Sequence, residues 1–351
     1  MSAPSSNGQH ALSLFYILSE QAARVPEQVA IAAPGRSPMT YRHLLQRLIR
    51  MQEALHSLGI GRNDRVALAL PPGPELTVAL LGVASTAACI PINPADEHLD
   101  THLSHMHVKA VILPFGEKNR AHADVHRHGI SVLELTPVPD SEAGFFALTG
   151  HTRFAPAAQE LPHDDDVALI LPPADTGPYA RPLYVTHANL SLAAWQAAAR
   201  LKLDISDRCL SLVPPFQSHG LVAGLLASLI VGAHVVCPPD FQVDTFFQWL
   251  EACRPSWYTA EPSMHEAIAD DAPQYDERIR RCPLRFIRSA SGALPPRVTR
   301  ALERIFRAPV IDAQGTTEMV GQLGEPYGHN NTLSAPRREA WAAASPAAVN
   351  E

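Results

Sequence analysis

Short apolar runs alternate with helical patterns along most of the chain. Mostly apolar runs predict buried strands at Arg65–Leu70, Ala110–Leu113, Val167–Leu171, Cys209–Val213, His234–Cys237, Arg285–Ser289 and Pro309–Asp312. Apolar residues at helical spacing predict helices at Leu12–Arg24, Tyr41–Leu58, Pro74–Ala87, His187–Leu201, Leu221–Val231, Asp244–Ala252 and Pro295–Phe306. Such alternation is typical of an α/β fold with mostly parallel sheets.

The composition of the chain changes between Thr136 and Asp166, where several prolines precede three consecutive aspartates. We place the boundary between two α/β sub-domains in this stretch, with the first over residues 11–160 and the second over residues 161–328. Residues 1–10 and 329–351 are rich in Ser, Ala, Pro and Asn and show no clear period, so we expect both termini to be disordered.

Composition and charge exclude several classes of protein. Of the 351 residues, 46% are hydrophobic and 18% are charged, as in a globular protein with more than one core. The net charge is -7 and no basic block is present, so we expect no binding to nucleic acid. The sequence contains neither a run of eighteen apolar residues nor a signal-peptide pattern, so we expect no membrane span and no export.

The cysteine and histidine patterns bear on location and on metal binding. The five cysteines are dispersed and include no CxxC pair, which indicates buried reduced thiols in a cytoplasmic protein. His98, His102 and His105 would share one face of a helix, close to His107. Because no carboxylate is placed to complete a site, a solvated helix face is favoured over a metal site.

A series of short sequence blocks carries a resemblance to one enzyme family. The blocks are MTYRHL (Met39–Leu44), AACIPINP (Ala87–Pro94), THANL (186–190), VPPFQSHGL (Val213–Leu221), RPSWYTAEP (Arg254–Pro262), LRFIRSASGAL (Leu284–Leu294) and VIDAQGTTEM (Val310–Met319). In this order they resemble the adenylate-forming (AMP-binding) superfamily, nearest the oxalate and 4-coumarate CoA ligases among the acyl-CoA synthetases. The resemblance covers about nine tenths of the chain, from about residue 12 to about residue 325.

The resemblance implies both a fold and a reaction. The fold would be the large N-terminal domain of an acyl-CoA synthetase, with two layered α/β sub-domains and mostly parallel sheets. The reaction would join a small carboxylic acid to ATP in the presence of Mg²⁺, release pyrophosphate, and then transfer the acyl group to a thiol, usually that of CoA. A separate lid domain or a carrier protein is a further partner that the resemblance allows.

The phosphate loop departs most from the family pattern, TSGTTGxPKG. Its counterpart is 173–182, where Thr176 is retained and Arg181 replaces the family's lysine. Four prolines lie between Pro172 and Pro182, and proline has no N–H to offer a phosphate, while Asp175 adds a negative charge. Thr176 and Arg181 would bind nucleotide in a working loop, but a plain connection between strands is favoured.

Two residues beyond the run Cys209–Val213 match the family motif that orients the acyl carboxylate. Gln217 stands where the family has its first histidine, and His219 matches the second. The resemblance gives both residues a catalytic role, although glutamine can hydrogen-bond but cannot move a proton. His219 is equally well explained as a residue at a helix N-terminus that is satisfied locally.

Two later blocks would supply the nucleotide and acyl pockets. The turn that packs on adenine in the family corresponds to Ser291, Gly292 and Ala293. The same residues also suit a plain turn before a helix. The acid would be bound by Ser289, Trp257 and Tyr258, and buried aromatic residues here would equally suit the core.

The block QGTTE would complete the nucleotide site. Its nucleotide-contacting residues would be Gln314, Gly315, Thr316 and Thr317. Gln314 replaces the aromatic residue that stacks on adenine in the family. Thr317 would contact phosphate and Glu318 would bind Mg²⁺, and the resemblance gives both a catalytic role. A turn of small residues near a helix start would explain the same block without a ligand.

The family extends well beyond this block. There it carries a ribose-binding aspartate, a hinge and a mobile lid domain with a catalytic lysine, whereas this chain has no lysine after Lys202. We therefore expect a truncated ligase-like protein, a candidate pseudoenzyme, that is weak or inactive alone. The alternative is a degenerate nucleotide-binding, carboxylate-binding or scaffold domain without catalysis. The sequence does not identify the acid, the thiol acceptor or the oligomeric state.

Overall fold

The structure, a computed structural model, describes residues 10–96, 103, 106–116, 130–172 and 182–312. Strands in this part of the chain are β1 (Val29–Ala32), β2 (Met39–Thr40), β3 (Arg65–Leu68), β4 (Ala88–Pro91), β5 (Ala110–Pro114), β6 (Ser131–Pro137), β7 (Phe146–Gly150), β8 (Val167–Leu171), β9 (Leu183–Thr186), β10 (Arg208–Ser211), β11 (His234–Val236), β12 (Trp257–Ala260), β13 (Phe286–Ser289) and β14 (Val310–Asp312).

The α-helices in the same ranges are α1 (Leu14–Arg24), α2 (Tyr41–Ser57), α3 (Pro74–Ala84), α4 (His187–Leu201), α5 (Ala227–Ile230), α6 (Val243–Cys253), α7 (Pro262–Asp271), α8 (Asp276–Arg281) and α9 (Pro296–Phe306). A π-helix, Gly220–Leu226, leads into α5, and a 3₁₀-helix, Ala272–Tyr275, leads into α8. Each predicted helix is therefore found, and α7 and α8 are additions that the sequence pattern did not reveal.

Hydroxyl and proline residues set the starts of several helices. The side chains of Ser13, Thr40 and Thr186 each accept the backbone N–H of the residue three positions later, which caps α1, α2 and α4. Prolines occupy the first turn of α3, α7 and α9, where a missing N–H removes no helical hydrogen bond. Local sequence chemistry therefore fixes where these helices begin.

Two sheets carry the fold. The first has the strand order β7-β6-β5-β3-β4-β8-β9, and the second has the order β14-β13-β12-β10-β11-β1-β2. Antiparallel pairing joins β6 to β7, β8 to β9 and β1 to β2, all at sheet edges, while the other neighbours are parallel. The predicted α/β class with mostly parallel sheets is confirmed.

The sheets do not divide at residue 160, where the sequence places a boundary. β8 and β9, within 167–186, complete the first sheet through the pairing of β8 with β4. β1 and β2, within 29–40, join the second sheet through the pairing of β1 with β11. The proline-rich stretch before residue 160 instead holds β7, which pairs with β6 and is mostly exposed beyond its first residue.

Three apolar clusters fill the layers. The largest lies between the two sheets, where α1 to α4 and the π-helix pack. A second lies between the second sheet and α6 to α9, and a third covers the far face of the first sheet. Alternate residues of one strand enter different clusters, as Cys209 and Leu210 do in β10. Burial on both faces explains why the central strands read as nearly continuous apolar runs.

Candidate functional site

Loops at the carboxyl ends of β10, β12 and β13 meet at one edge of the second sheet. These three strands are parallel neighbours. The loop after β10 carries Gln217, the loop after β12 begins with Glu261, and the loop after β13 carries Ser291. In parallel α/β sheets, ligands bind outside the carboxyl ends of the strands, so this edge is the candidate site.

A chain of side-chain hydrogen bonds joins the three loops. Gln217 Nε2 donates to Glu261 Oε1 at 2.6 Å, and Gln217 Oε1 accepts the hydroxyl of Ser291 at 3.1 Å. The sequence predicts Gln217 and Ser291 as site residues, and the structure brings their side chains into contact. The sequence pattern does not identify Glu261 as a site residue, although a charged residue directly after an apolar strand is a usable signal.

The turn that contains Ser291 is open to solvent, and Ser291, Gly292 and Ala293 are all exposed. Ser291 has a φ of 68°, in the left-handed region that costs a non-glycine residue conformational energy. The base of the turn is fixed by Ala290 N–H, which donates to Ala260 O at 2.9 Å. A strained residue whose hydroxyl reaches the candidate site is the kind of feature that clusters at ligand-binding positions.

His219 immediately precedes the π-helix. Helices of this type are rare in proteins, and those that occur are often found at functional sites. Gly220 is required for the close approach there, since a Cβ at this position would lie 2.4 Å from Val213 O and 2.7 Å from Pro214 O. Leu221 N–H donates to Gln217 O at 3.0 Å, so Gln217 and His219 belong to one tight turn. Partial burial, together with the charge of Arg288, lowers the pKa of His219.

Arg288, a residue that the sequence does not single out, places a buried cation in β13. Its side chain is only 2% exposed, and Nη1 donates to Thr259 Oγ1, on the paired position of β12, at 3.2 Å. Burial lowers the pKa of Arg288 to about 10, so the guanidinium remains charged at neutral pH. This charge and His219 lie close enough to influence each other.

Trp257, Tyr258 and Ser289, which the resemblance places at the acid, are all fully buried. Trp257 stacks on Phe286, with ring centroids 4.9 Å apart, in the cluster between the sheets. Tyr258 lies on the opposite face of β12 in the cluster beneath α6 to α9, where its hydroxyl is 3.3 Å from His265 Nδ1. Trp257 and Tyr258 therefore lie on opposite faces of β12, both within the core, and the acid-binding role that the resemblance gives them stays a prediction.

Several predicted site residues lie outside the described residues. These are Thr176 and Arg181 of the phosphate loop, and Gln314, Gly315, Thr316, Thr317 and Glu318 of the last block. Their proposed contacts with nucleotide and Mg²⁺ stay predictions. The histidines at 98, 102 and 105 also fall outside, and the described part of the chain contains no group of three or more His, Cys, Asp or Glu side chains that could hold a metal ion.

A groove with about 490 Å³ of empty space, partly open to solvent, runs beside the site. Its lining includes Pro214, Pro215 and Gly220, which flank Gln217 and His219 in the same loop. The start of α3 and the segment after β11 also line the groove, with Thr77 and Cys237. The Thr77 hydroxyl lies 3.0 Å from Gly73 O and 3.4 Å from Cys237 Sγ.

Helix length bears on membrane association. Within 10–96, 103, 106–116, 130–172 and 182–312, every helix is too short or too polar to cross a bilayer. The longest of them, α2, has 17 residues and carries several charged side chains.

Comparison with known proteins places the chain in a family. The model of that family, described as "AMP-binding enzyme", matches residues 18–342. A probable CoA ligase (CCL9) of Humulus lupulus is 31% identical, over 88% of this chain and 60% of that protein. An oxalate–CoA ligase of Arabidopsis thaliana is also 31% identical, over 86% of this chain and 60% of that protein. The chain thus spans about 60% of the length of these relatives.

Solved structures share the fold. ATP-bound MatB from Rhodopseudomonas palustris superposes with a TM-score of 0.72 and 20% identity, covering 86% of this chain and 59% of that one. A benzoate CoA ligase from Burkholderia xenovorans LB400 gives a TM-score of 0.72 and 22% identity, covering 88% and 62%. At this level of identity the superposition shows the fold alone.

Proposed function

Because this chain belongs to the family of AMP-binding enzymes, we propose that it is a ligase-like domain built to activate a carboxylic acid with ATP. The acid would attack the α-phosphorus to give an acyl-adenylate and pyrophosphate, and the acyl group would then pass to a thiol such as that of CoA. The observation that carries this proposal is the meeting of Gln217 and Ser291 at the carboxyl edge of the second sheet. There the exposed turn after β13 faces the loop after β10.

The roles of individual residues follow from their positions. The turn Ser291–Ala293 is exposed and would lie against the nucleotide, while Gln217 would hydrogen-bond the acid. Thr317 and Glu318 would hold phosphate and Mg²⁺, with Thr176 and Arg181 at the phosphates. When bound, Mg²⁺ would neutralise charge on the phosphate oxygens. Oxalate, the acid named for one relative, belongs in the panel of small acids with which the proposal is tested.

We also propose that this chain has weak activity by itself. Gln217 cannot transfer a proton, and its amide already donates to Glu261. The prolines between Pro172 and Pro182 remove N–H groups that a phosphate would need. A separate lid domain or carrier protein would then be required for full turnover.

The five cysteines are free thiols, and a cytoplasmic location forms part of the proposal.

Pyrophosphate–ATP exchange over small carboxylic acids tests the proposed reaction. We expect exchange well below that of a full-length CoA ligase assayed in parallel, together with calorimetric binding of ATP and Mg²⁺. Robust exchange would contradict the weak-activity proposal. Absence of nucleotide binding would contradict the ligase-like function itself.

A second candidate function is a binding or scaffold domain without catalysis. The observation that favours it is the closed core beneath the candidate site, where Trp257, Tyr258 and Ser289 are fully buried. Nucleotide binding without any exchange, for every acid and with a lid domain supplied in trans, would support this alternative.

A further inference from the structure

The carboxylate of Glu261 has an unusual setting at the candidate site. Its side chain is partly buried at the first position after β12, beside the start of α7. Oε1 accepts the amide of Gln217 at 2.6 Å, and the pairing leaves Oε2 available. Among the residues that the structure describes, no Lys, Arg or His forms an ion pair with Glu261, whereas Glu266 on the same helix pairs with Arg297 at 2.6 Å.

A partly buried carboxylate that has no ion-pair partner within the described residues favours a cation or a strong hydrogen-bond donor as its neighbour. Charge-assisted hydrogen bonds are about twice as strong as neutral ones. A second negative charge beside Glu261 would be repelled, and removal of its water would add a desolvation cost. Glu261 therefore biases the chemistry of whatever enters between the loops after β10 and β13.

The geometry around Glu261 is held in place from two sides. Gln217 is fixed by the tight turn that leads into the π-helix, and its side-chain oxygen Oε1 accepts the hydroxyl of Ser291. Ser291 itself is kept in a left-handed conformation, with a φ of 68°. Three loops thus position one carboxylate oxygen and leave the other open, which is the arrangement expected of a recognition group.

We infer that Glu261 makes this site selective for a carboxylic acid that also carries an amino group, and selective against dicarboxylic acids. The inference rests on the proposed function, because it assumes that the acid enters at the carboxyl edge of the second sheet. The ammonium group would donate to the open oxygen of Glu261, and the reacting carboxylate would point away from it, towards the nucleotide.

Three acids separate the charge effect from shape. 3-Aminopropanoate and butanoate have the same number of heavy atoms in the chain and differ by an ammonium group in place of a methyl group, while succinate adds a second carboxylate. Each is titrated calorimetrically at saturating AMP into the unsubstituted chain and into two variants, Glu261→Gln and Glu266→Gln. The first variant keeps the shape of the side chain, and the second is a matched loss of charge on the outer face of α7.

We expect 3-aminopropanoate to bind the unsubstituted chain about tenfold more tightly than butanoate, with succinate weakest, as a charge-assisted hydrogen bond would give. In Glu261→Gln the preference should fall to about threefold or less, while Glu266→Gln should retain it. An unchanged preference in Glu261→Gln, equal binding of all three acids, or tight binding of succinate would each overturn the inference while AMP still binds. Failure of AMP to bind would instead overturn the proposed function on which the inference rests.

Discussion

The rim of the second sheet and the layer directly beneath it are built from the same strands but behave differently. At the rim, Gln217, Glu261 and Ser291 are partly or fully accessible and bond to one another across three loops. Two or three residues earlier, Ser289 and Tyr258 are closed inside the core. Strand residues thus hold the fold, and the residues that follow the strand ends are free to bind a ligand.

A substitution in the buried layer should destabilise the chain most. Trp257→Ala should lower the free energy of unfolding by about 3–5 kcal/mol, because a fully buried indole leaves a cavity against Phe286. Urea denaturation followed by circular dichroism measures it. A loss below about 1 kcal/mol would show that Trp257 is not a core residue and would reopen its assignment to an acid pocket.

The buried histidines should make the core sensitive to acid. Burial lowers the pKa of His187 and of His265 to about 4, below the usual value near 6.5. Between pH 6.5 and pH 4 the unfolded chain binds protons that the folded chain does not, so stability present above pH 6.5 falls as the pH drops. The loss should be on the order of 3 kcal/mol for each ring across that window.

Thermal unfolding at stepped pH tests this expectation. His187 Nδ1 accepts the N–H of Leu14 at 3.2 Å, so His187→Asn offers an amide oxygen that can act as the acceptor without titrating. This variant should show a shallower decline below pH 6.5 than the unsubstituted chain. Identical pH profiles would contradict the role given to His187.

Two glycines near the site offer a matched pair of substitutions. Gly220→Ala would force a Cβ against backbone oxygens, 2.4 Å from Val213 O, and should cost about 1–3 kcal/mol while displacing Gln217 and His219. In Gly292→Ala the new Cβ would lie an ordinary 3.6 Å from Pro262 Cγ, and the change should stay within about 0.5 kcal/mol. Equal effects in chemical denaturation would contradict the distinction between these positions.

A substitution at Ser291 should change stability little but should affect binding. Ser291→Gly relieves the left-handed strain of the folded chain, but glycine also gives the unfolded chain more backbone entropy to lose on folding. The net change in the free energy of unfolding should therefore stay within about 1 kcal/mol. Loss of the hydroxyl that donates to Gln217 should nevertheless weaken binding of an acid. A marked loss of stability with unchanged binding would assign Ser291 to the core instead of the rim.

The sequence predicts much of the fold because parallel strands buried on both faces leave long apolar runs. β8, β10 and β13 are found close to their predicted positions, as are α2 and α4. The edge strands β2 and β7 are missed because they are short or exposed, and the fully buried interior strands β4 and β12 are missed as well. The predicted boundary at residue 160 is not a division between sheets, because local composition carries no information on which distant strands pair.

The candidate site is only partly predictable from the sequence. Gln217 and Ser291 are identified because they stand in short blocks with a family pattern, and their contact is found in the structure. Glu261 and Arg288 are not identified, since their importance depends on which loops and strands lie side by side. Trp257 and Tyr258 are adjacent in the sequence but enter different clusters, because alternation along β12 sends neighbouring side chains to opposite faces.

Calorimetric titration of AMP into the purified chain tests whether the rim of the second sheet belongs to a nucleotide site, as we propose. We expect saturable binding to one site with a dissociation constant below about 1 mM, and weaker binding in Gly220→Ala than in Gly292→Ala. No detectable binding at several times that concentration, by a chain shown to be folded, would contradict it.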